Sequence, residues 1–431
     1  MNQAPRVAAR LLHLVALLLL AWSFPAAAAE PSAIFRQRAE GLVPLLNDRT
    51  KPETLFSPAF LAQVPPAQVV SISKQLRDGY GAARELERIE AKTATSGTVV
   101  VRFERASVKM EMAIGAVPPQ LIEGLLVTGA EMAKDDVRTV LGELTALQGT
   151  VSLAAGRLEP GGFGLFLTQK ADEPLAVGSS FKLFILAELV RAVKAGERRW
   201  ADVVPLGAPS LPSGLLQDWP AGSPVTLHTL AALMLSRSDN SAADTLLALV
   251  GRAKVEALLP TLGVRTPERD RPFLSTRDMF ALKLGDPALR AQWLAADETG
   301  RRKLLPRLAE VGAKTLDVTR LGGAPIEIGR IEWFASAGDL VRTLDWIRRA
   351  GDPTALALLA INPGLSRDQA AAFDYVGYKG GSEPGVLNLS YLLRRRDGGW
   401  LAVSGTWNNP AAGLEETRFI ALMQRLVSLL K

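Results

Sequence analysis

Apolar and polar positions change their period several times along this chain. From Ser32 to Leu46 the apolar residues recur with helical spacing. Phe56 to Tyr80 carries further helical pieces, interrupted at Pro65-Pro66. The period then becomes two. Val99, Val101 and Phe103 alternate with polar neighbours, and Val108, Met110, Met112 and Ile114 do so again. Two such runs joined by a short polar link predict an antiparallel hairpin. Pro118-Pro119 and Gly124 follow, with a third strand expected near Leu125. Helices laid on a curved antiparallel sheet make residues 30–130 a small α+β domain.

A second domain is expected over residues 131–431. Lys134 to Leu147 has a helical pattern. Val151 and Leu153, then Phe163, Leu165 and Leu167, read as two strands joined through Gly161-Gly162. Phe181 to Val193 is apolar on almost every side, the mark of a buried helix. Helices follow from Thr226 to about Val250, and a charged, helix-rich stretch with Trp293, Trp333 and Trp346 occupies 286–350. Gly385–Arg395 and Trp400–Thr406 read as strands joined by Asp397-Gly398-Gly399, and Leu414 to Leu430 as a closing amphipathic helix. Both ends of this domain therefore contribute to one sheet, with helices supplied between them.

Composition narrows the chemistry. With 431 residues, 48% hydrophobic and 22% charged, the chain has an ordinary globular balance. Two of the six net positive charges, Arg6 and Arg10, lie at the N-terminus, and the rest are spread out rather than gathered in a stripe. Nucleic-acid binding is not indicated. Residues 1–29 read as a secretory signal: Arg6 and Arg10, the apolar run Leu11 to Trp22, then Ala26-Ala27-Ala28-Ala29. The run falls short of the roughly 20 residues a bilayer span needs. The expectation is a periplasmic or secreted protein with no integral membrane span once the signal is removed; the alternative is an uncleaved N-terminal anchor. Cysteine is absent, which excludes thiol nucleophiles, disulfides and thiolate metal sites. Of two histidines, His13 lies in the signal and His228 in the first turn of a predicted helix, where a surface or capping role is expected. A zinc hydrolase needs more imidazoles than this. Neither a metal nor an organic cofactor is implied.

Three short clusters remain. In Ser179-Ser180-Phe181-Lys182, a serine opens the buried helix and a lysine stands one turn behind it. Burial disfavours an ammonium, so Lys182 is suited to accept the proton of the Ser179 hydroxyl. Ser238-Asp239-Asn240 follows an apolar helix directly. Asp239 is suited to cap the next helix, leaving Ser238 and Asn240 to face a cleft. Lys379-Gly380-Gly381-Ser382 precedes a strand-rich stretch. Its glycines would let a ligand lie against backbone, although an ordinary loop has the same composition.

In this order, the three clusters resemble those of class A β-lactamases and penicillin-binding proteins. The flanks agree: Ser213-Gly214-Leu215-Leu216-Gln217, Pro224-Val225-Thr226-Leu227 and the run Leu233 to Leu247 track the class A pattern. The likeness covers roughly residues 145 to 431. It implies an α/β, two-domain protein with a β-lactamase/transpeptidase-like C-terminal fold, an antiparallel sheet flanked by helices plus a helical subdomain. The N-terminal part is similar to the small cystatin/ketosteroid-isomerase-like domain of a clavulanate-cluster β-lactamase-like protein. By the same resemblance, Ser179 is the acylated nucleophile and Lys182 its general base or proton relay, and Ser238 shuttles a proton to the leaving atom. Asn240 holds the substrate amide, and Lys379 attracts a carboxylate. Gly381 and Ser382 line the substrate, with the Ser179 and Ser382 N–H groups forming the oxyanion hole.

Two departures qualify this. Gly380 stands where the family usually has a hydroxyl residue, which removes one carboxylate contact; Ser382 is a partial replacement. No E-x-x-L-N loop is found, and only 11 residues separate Gly263 from Ser275-Thr276-Arg277-Asp278-Met279. Glu268 and Asp270, the carboxylates of that stretch, read as solvated loop. The expected activity is a serine hydrolase acting on a β-lactam, ester or amide. The alternatives are a peptidoglycan D-Ala-D-Ala peptidase or transpeptidase, and a non-catalytic envelope protein that keeps the pocket. The partner is accordingly a small acyl substrate or a peptidoglycan peptide.

Overall fold

The computed structural model describes residues 30–132, 136–312, 316–317, 319 and 323–431. The expected signal segment lies outside them. The chain divides into two compact units, one up to residue 133 and one from 134 onward.

The first unit opens with α1 (Ala33–Leu46), capped by Ser32, whose side chain accepts from Phe35 N. Pro65-Pro66 separates α2 (Pro58–Gln63) from α3 (Pro66–Tyr80), since proline tolerates a first helical turn but not an interior one. A four-stranded antiparallel meander follows: β1 (Ala83–Thr93), β2 (Ser96–Phe103), β3 (Ala106–Ile114) and β4 (Ile122–Met132). The alternating Val99, Val101, Val108, Met110 and Met112 point to one side and pack with Phe35, Ala39 and Leu42 of α1. Strand β1 has no counterpart in the sequence pattern. It is a charge-rich edge strand, and three register shifts against β2 break its alternation.

The second unit is built on a five-stranded antiparallel sheet in the order β11-β12-β13-β5-β6. After α4 (Val137–Thr145), β5 (Thr150–Glu159) and β6 (Gly162–Gln169) form the N-terminal hairpin. A short strand β7 (Leu175–Ala176) and a one-turn 3-10 segment, Gly178–Phe181, lead into α5 (Lys182–Lys194). The ribbon β8 (Val203–Pro205) and β9 (Pro224–Thr226) precedes α6 (Leu227–Ser236), α7 (Asn240–Val250) and α8 (Arg252–Leu258). Then come α9 (Thr276–Leu284), α10 (Pro287–Ala295), α11 (Glu298–Glu310), β10 (Phe334–Ala335), α12 (Ala337–Ala350), α13 (Pro353–Leu359) and α14 (Arg367–Ala370). The C-terminal strands β11 (Tyr375–Glu383), β12 (Val386–Arg394) and β13 (Trp400–Asn408) complete the sheet, and α15 (Glu416–Ser428) closes the chain.

The pleat divides two cores. Val151, Leu153, Leu401 and Val403 pack with Phe419 and Met423 of α15 on one face. Ala154, Leu158, Leu392 and Ala402 face α5, α12 and the helical region on the other. The strand-rich C-terminal part begins earlier than its hydrophobicity suggests. Lys379-Gly380-Gly381-Ser382 lies within the edge strand β11, not in a loop before the strands. Among the described residues no helix is long and apolar enough to cross a membrane.

Candidate active site

Helix α5 carries the first cluster. Its side chains from Lys182 to Val190 are all buried, and Lys182 itself is 0% exposed. The amine sits 2.9 Å from Ser179 Oγ and 3.1 Å from Ser238 Oγ. It also donates to the Ser238 carbonyl at 2.7 Å and to Asn240 Oδ1 at 2.7 Å. Each of these partners is neutral. Burial therefore holds the Lys182 ammonium well below the usual lysine range, and the charge of Lys379 adds to the effect.

The second cluster is a linker between α6 and α7. Ser238 adopts φ +55°, a left-handed backbone uncommon for serine, at the point where the chain reverses between the helices. Asp239 caps α7, accepting from Ala242 N at 2.8 Å. Its other oxygen accepts from Leu215 N at 2.6 Å and Leu216 N at 2.9 Å, tying the 213–216 loop to the helix. Asn240 donates to the Leu211 carbonyl at 3.1 Å, so both ends of its amide are engaged within the protein.

The third cluster arrives on β11. Lys379 is 2% exposed and donates to Ser238 Oγ at 3.1 Å and to the Gly380 carbonyl. Desolvation pulls its ammonium down to about 7. Gly381 packs directly on the 177–180 turn, where a Cβ would overlap Val177 O and Ser179 N. A Cβ on Gly178 would come within 3.0 Å of Ser382 N. Only backbone can approach backbone this closely, and the contact sets Ser179 N beside the Gly381-Ser382 strand. Ser179, Lys182, Ser238, Asn240, Lys379, Gly381 and Ser382 are thus brought together.

All of these except the buried Lys182 border a cleft of about 540 Å³ whose other walls hold Arg237, Thr276, Met279, Glu332, Trp333 and Tyr378. Trp333 stacks on Phe181 at 3.7 Å and fixes the ring beside the nucleophile turn. Beneath the turn, Ser180 Oγ donates to Asn388 Oδ1 at 2.6 Å. The Asn388 amide in turn donates to Thr406 Oγ1 at 2.8 Å and to Gly405 O at 3.1 Å. Asn388 is fully buried with both ends satisfied, and it braces the strand against the serine turn.

Several residues stand differently from the sequence reading. Asp270 is 3% exposed rather than solvated, and accepts from Phe334 N at 2.8 Å. Burial raises its carboxyl well above the ordinary range. The carboxylates lining the cleft are instead Glu332, Glu383 and Glu416, remote in sequence from Gly263–Met279. Glu332 and Glu383 are both bound by Lys283, with Glu332 at 3.1 Å. Burial and the adjacent Glu332 raise the Glu383 carboxyl well above its usual value. No local motif marks these two. Asp244, half-buried on α7, accepts from Thr276 N at 2.7 Å and Arg277 N at 3.0 Å and so anchors α9. Desolvation pushes its carboxyl up to about 6. His228 is exposed on α6, whose cap is Thr226. Among the described residues no group of three or more His, Cys, Asp or Glu is placed to hold a metal ion.

Residues 132–303 match the model of the Beta-lactamase enzyme family. Among solved structures, the chain is similar to a β-lactamase from Sphaerobacter thermophilus, at 23% identity and TM-score 0.45, over 68% of this chain and 96% of that one. It is also similar to a β-lactamase from Chitinophaga pinensis, at 18% identity and TM-score 0.45, over 68% and 97%. No curated protein matches. The family match over 132–303, with the helices and antiparallel sheet described above, makes the second unit β-lactamase-like in fold.

Proposed function

We propose that the second unit is a serine hydrolase that reacts through an acyl-serine intermediate with a β-lactam, ester or amide. The observation carrying this reading is the Lys182 amine, buried among neutral partners 2.9 Å from Ser179 Oγ and 3.1 Å from Ser238 Oγ. A neutral amine in that position accepts the Ser179 proton as Oγ bonds to the substrate carbonyl carbon. The carbonyl oxygen takes the negative charge beside the Ser179 and Ser382 N–H groups. When the tetrahedral adduct collapses, the bond from carbon to the leaving nitrogen or oxygen breaks. The proton on Lys182 passes through the Ser238 hydroxyl to that leaving atom, and Lys379 supplies positive charge for a substrate carboxylate. Water then releases the acyl group. Two of the cleft carboxylates, Glu332 and Glu383, are held by Lys283, which favours slow release over fast turnover.

The first unit is proposed as a ketosteroid-isomerase-like accessory domain, supported by its helices on a four-stranded antiparallel sheet. The protein is proposed to be exported to the periplasm, supported by the basic and apolar pattern of residues 1–29.

Mass spectrometry of the intact protein after incubation with a penicillin tests the hydrolase. The expected result is one penicilloyl adduct, absent in Ser179→Ala, that outlasts the incubation. An unmodified mass with the substrate left intact would reject the reading.

A further inference from the structure

The third cluster lacks a side-chain hydroxyl at Gly380, and the structure supplies one from two residues upstream. Tyr378 and Gly380 share a face of β11, as alternate residues of a strand must. The Tyr378 hydroxyl lies over Gly380 so closely that a Cβ on residue 380 would overlap it. Among the described residues this hydroxyl has no hydrogen-bond partner, and Tyr378 lines the cleft together with Arg237, Ser238 and Lys379. We propose that the Tyr378 hydroxyl, in the cleft that Lys379 also lines, is the donor that receives the substrate carboxylate. The inference rests on the hydrolase reading for the placement of the substrate.

The ring is held for this task. Gly364, at φ +62°, packs on its face, and a Cβ there would come within 2.6 Å of the ring carbons. Tyr391 lies on it with centroids 5.0 Å apart. Gly364 is itself fixed through its carbonyl, which accepts from Tyr391 Oη at 3.3 Å and from Gln424 Nε2 at 3.3 Å. Asn362, two residues before, donates to the Ser236 carbonyl at 3.2 Å and so ties this loop to the end of α6, next to Arg237 and Ser238. Two glycines thus make room for one phenol, Gly364 under its ring and Gly380 under its hydroxyl. A phenol set in this way has little freedom to lose on binding. Desolvation pushes it up to about 12, so it keeps its proton and donates at neutral pH. A phenolic O–H meeting a carboxylate forms a charge-assisted hydrogen bond. Arg237, exposed at the rim with no ion-pair partner among the described residues, adds positive charge to the approach.

The test compares benzylpenicillin with its methyl ester, which lacks the charged carboxylate. Acylation of Ser179 is followed by intact mass. Tyr378→Phe should slow reaction with the acid roughly tenfold, the usual worth of a hydrogen bond to a charged group. It should leave reaction with the ester and the melting temperature unchanged, since the hydroxyl bonds nothing in the protein. The double variant Tyr378→Ala/Gly380→Thr, which returns a hydroxyl to the strand itself, should recover the acid rate to within threefold. Equal losses for acid and ester, or no loss for either, would overturn the proposal. Ligand-observed NMR titration of both compounds against Ser179→Ala reads binding without chemistry. Preference for the acid that disappears in Ser179→Ala/Tyr378→Phe supports the proposal even if Ser179 proves unreactive, and absence of any preference rejects it even if Ser179 reacts.

Discussion

Lys182 and Lys283 are buried to the same degree, 0% and 1% exposed, in two regions of the second unit. Their surroundings differ in one respect. Lys182 meets hydroxyls, a carbonyl and an amide, whereas Lys283 meets the carboxylates of Glu332 and Glu383. Burial lowers both ammonium groups. At Lys182 burial wins and Lys379 reinforces it, with only smaller opposition from Asp244 and Asp239, neither of which bonds the amine, while at Lys283 the two glutamates more than offset burial and the group ends above its usual value. One lysine is therefore available as a base and the other is a fixed cation. Burial alone does not make a reactive amine; burial among neutral acceptors does. The first unit presents neither case. Among its described residues the buried polar side chains are Ser57 and Ser73, the pattern of a core that serves packing.

The largest expected effect comes from removing the reactive member. Lys182→Ala should slow acylation by about 10³-fold, within the range of general-base contributions. Lys182→Arg should be as slow, because a guanidinium keeps its proton. Penicillin labelling followed by mass spectrometry reads both, with circular dichroism checking the fold. Unaltered labelling of Lys182→Ala would remove the distinction between the two lysines.

Removing the paired member should act on stability instead. Lys283→Met leaves Glu332 and Glu383 buried together without a counter-charge, at a cost of about 3–5 kcal/mol. The sign with pH follows from linkage. Without Lys283 the Glu383 carboxyl, already raised by burial, keeps a folded value above its unfolded one, so the folded state binds more protons than the unfolded state. Stability then falls as pH rises through that raised value. Urea denaturation at pH 5 and pH 8 should show the larger loss at pH 8. An equal loss at both would mean that Glu383 is not protonated in the folded variant.

What could be read in advance follows the same division. The apolar helix after Ser179 and the alternation in β2, β3, β5 and β12 are local patterns, and the elements lie where those patterns fall. Strand β1 escaped because its bulges and charges erase the period of two. Strand β11 escaped because Gly377, Gly380 and Gly381 carry no side chains from which to read an alternation. The seven site residues were legible as motifs because each cluster is contiguous. Glu332, Glu383 and Lys283 were not, since three separate segments meet only in the folded chain. Asn388 and Tyr378 were missed for a related reason. Each acts through a cross-strand or cross-turn contact that no short stretch of sequence contains.

Lys379 lies between the two extremes, with desolvation but no anion, and it titrates at about 7. Its charge is present below that value and lost above it. Second-order acylation by a carboxylate-bearing penicillin should therefore decline above pH 7, by up to about tenfold per unit, while the methyl ester shows no such limb. Lys379→Arg, which stays charged, should remove the decline. The same limb with the ester would assign it to another group.

The smallest effect should come from the serine next door. Ser180 is adjacent to Ser179 in a cluster where either could in principle react, yet its hydroxyl is buried and donates to Asn388 at 2.6 Å, on the side away from Lys182. Ser180→Ala removes one buried hydrogen bond, but Asn388 Oδ1 still accepts from Ser390 Oγ at 2.9 Å. The loss in unfolding free energy should be about 1 kcal/mol, and acylation should change by less than about threefold. Ser179→Ala should do the reverse, abolishing the adduct with little change in stability, because its hydroxyl meets the amine at the edge of the cleft. If instead Ser180→Ala abolished labelling and Ser179→Ala did not, the neutral surroundings of Lys182 would have been built for a different hydroxyl. The contrast between a reactive and a fixed lysine would then lose the partner that gives it meaning.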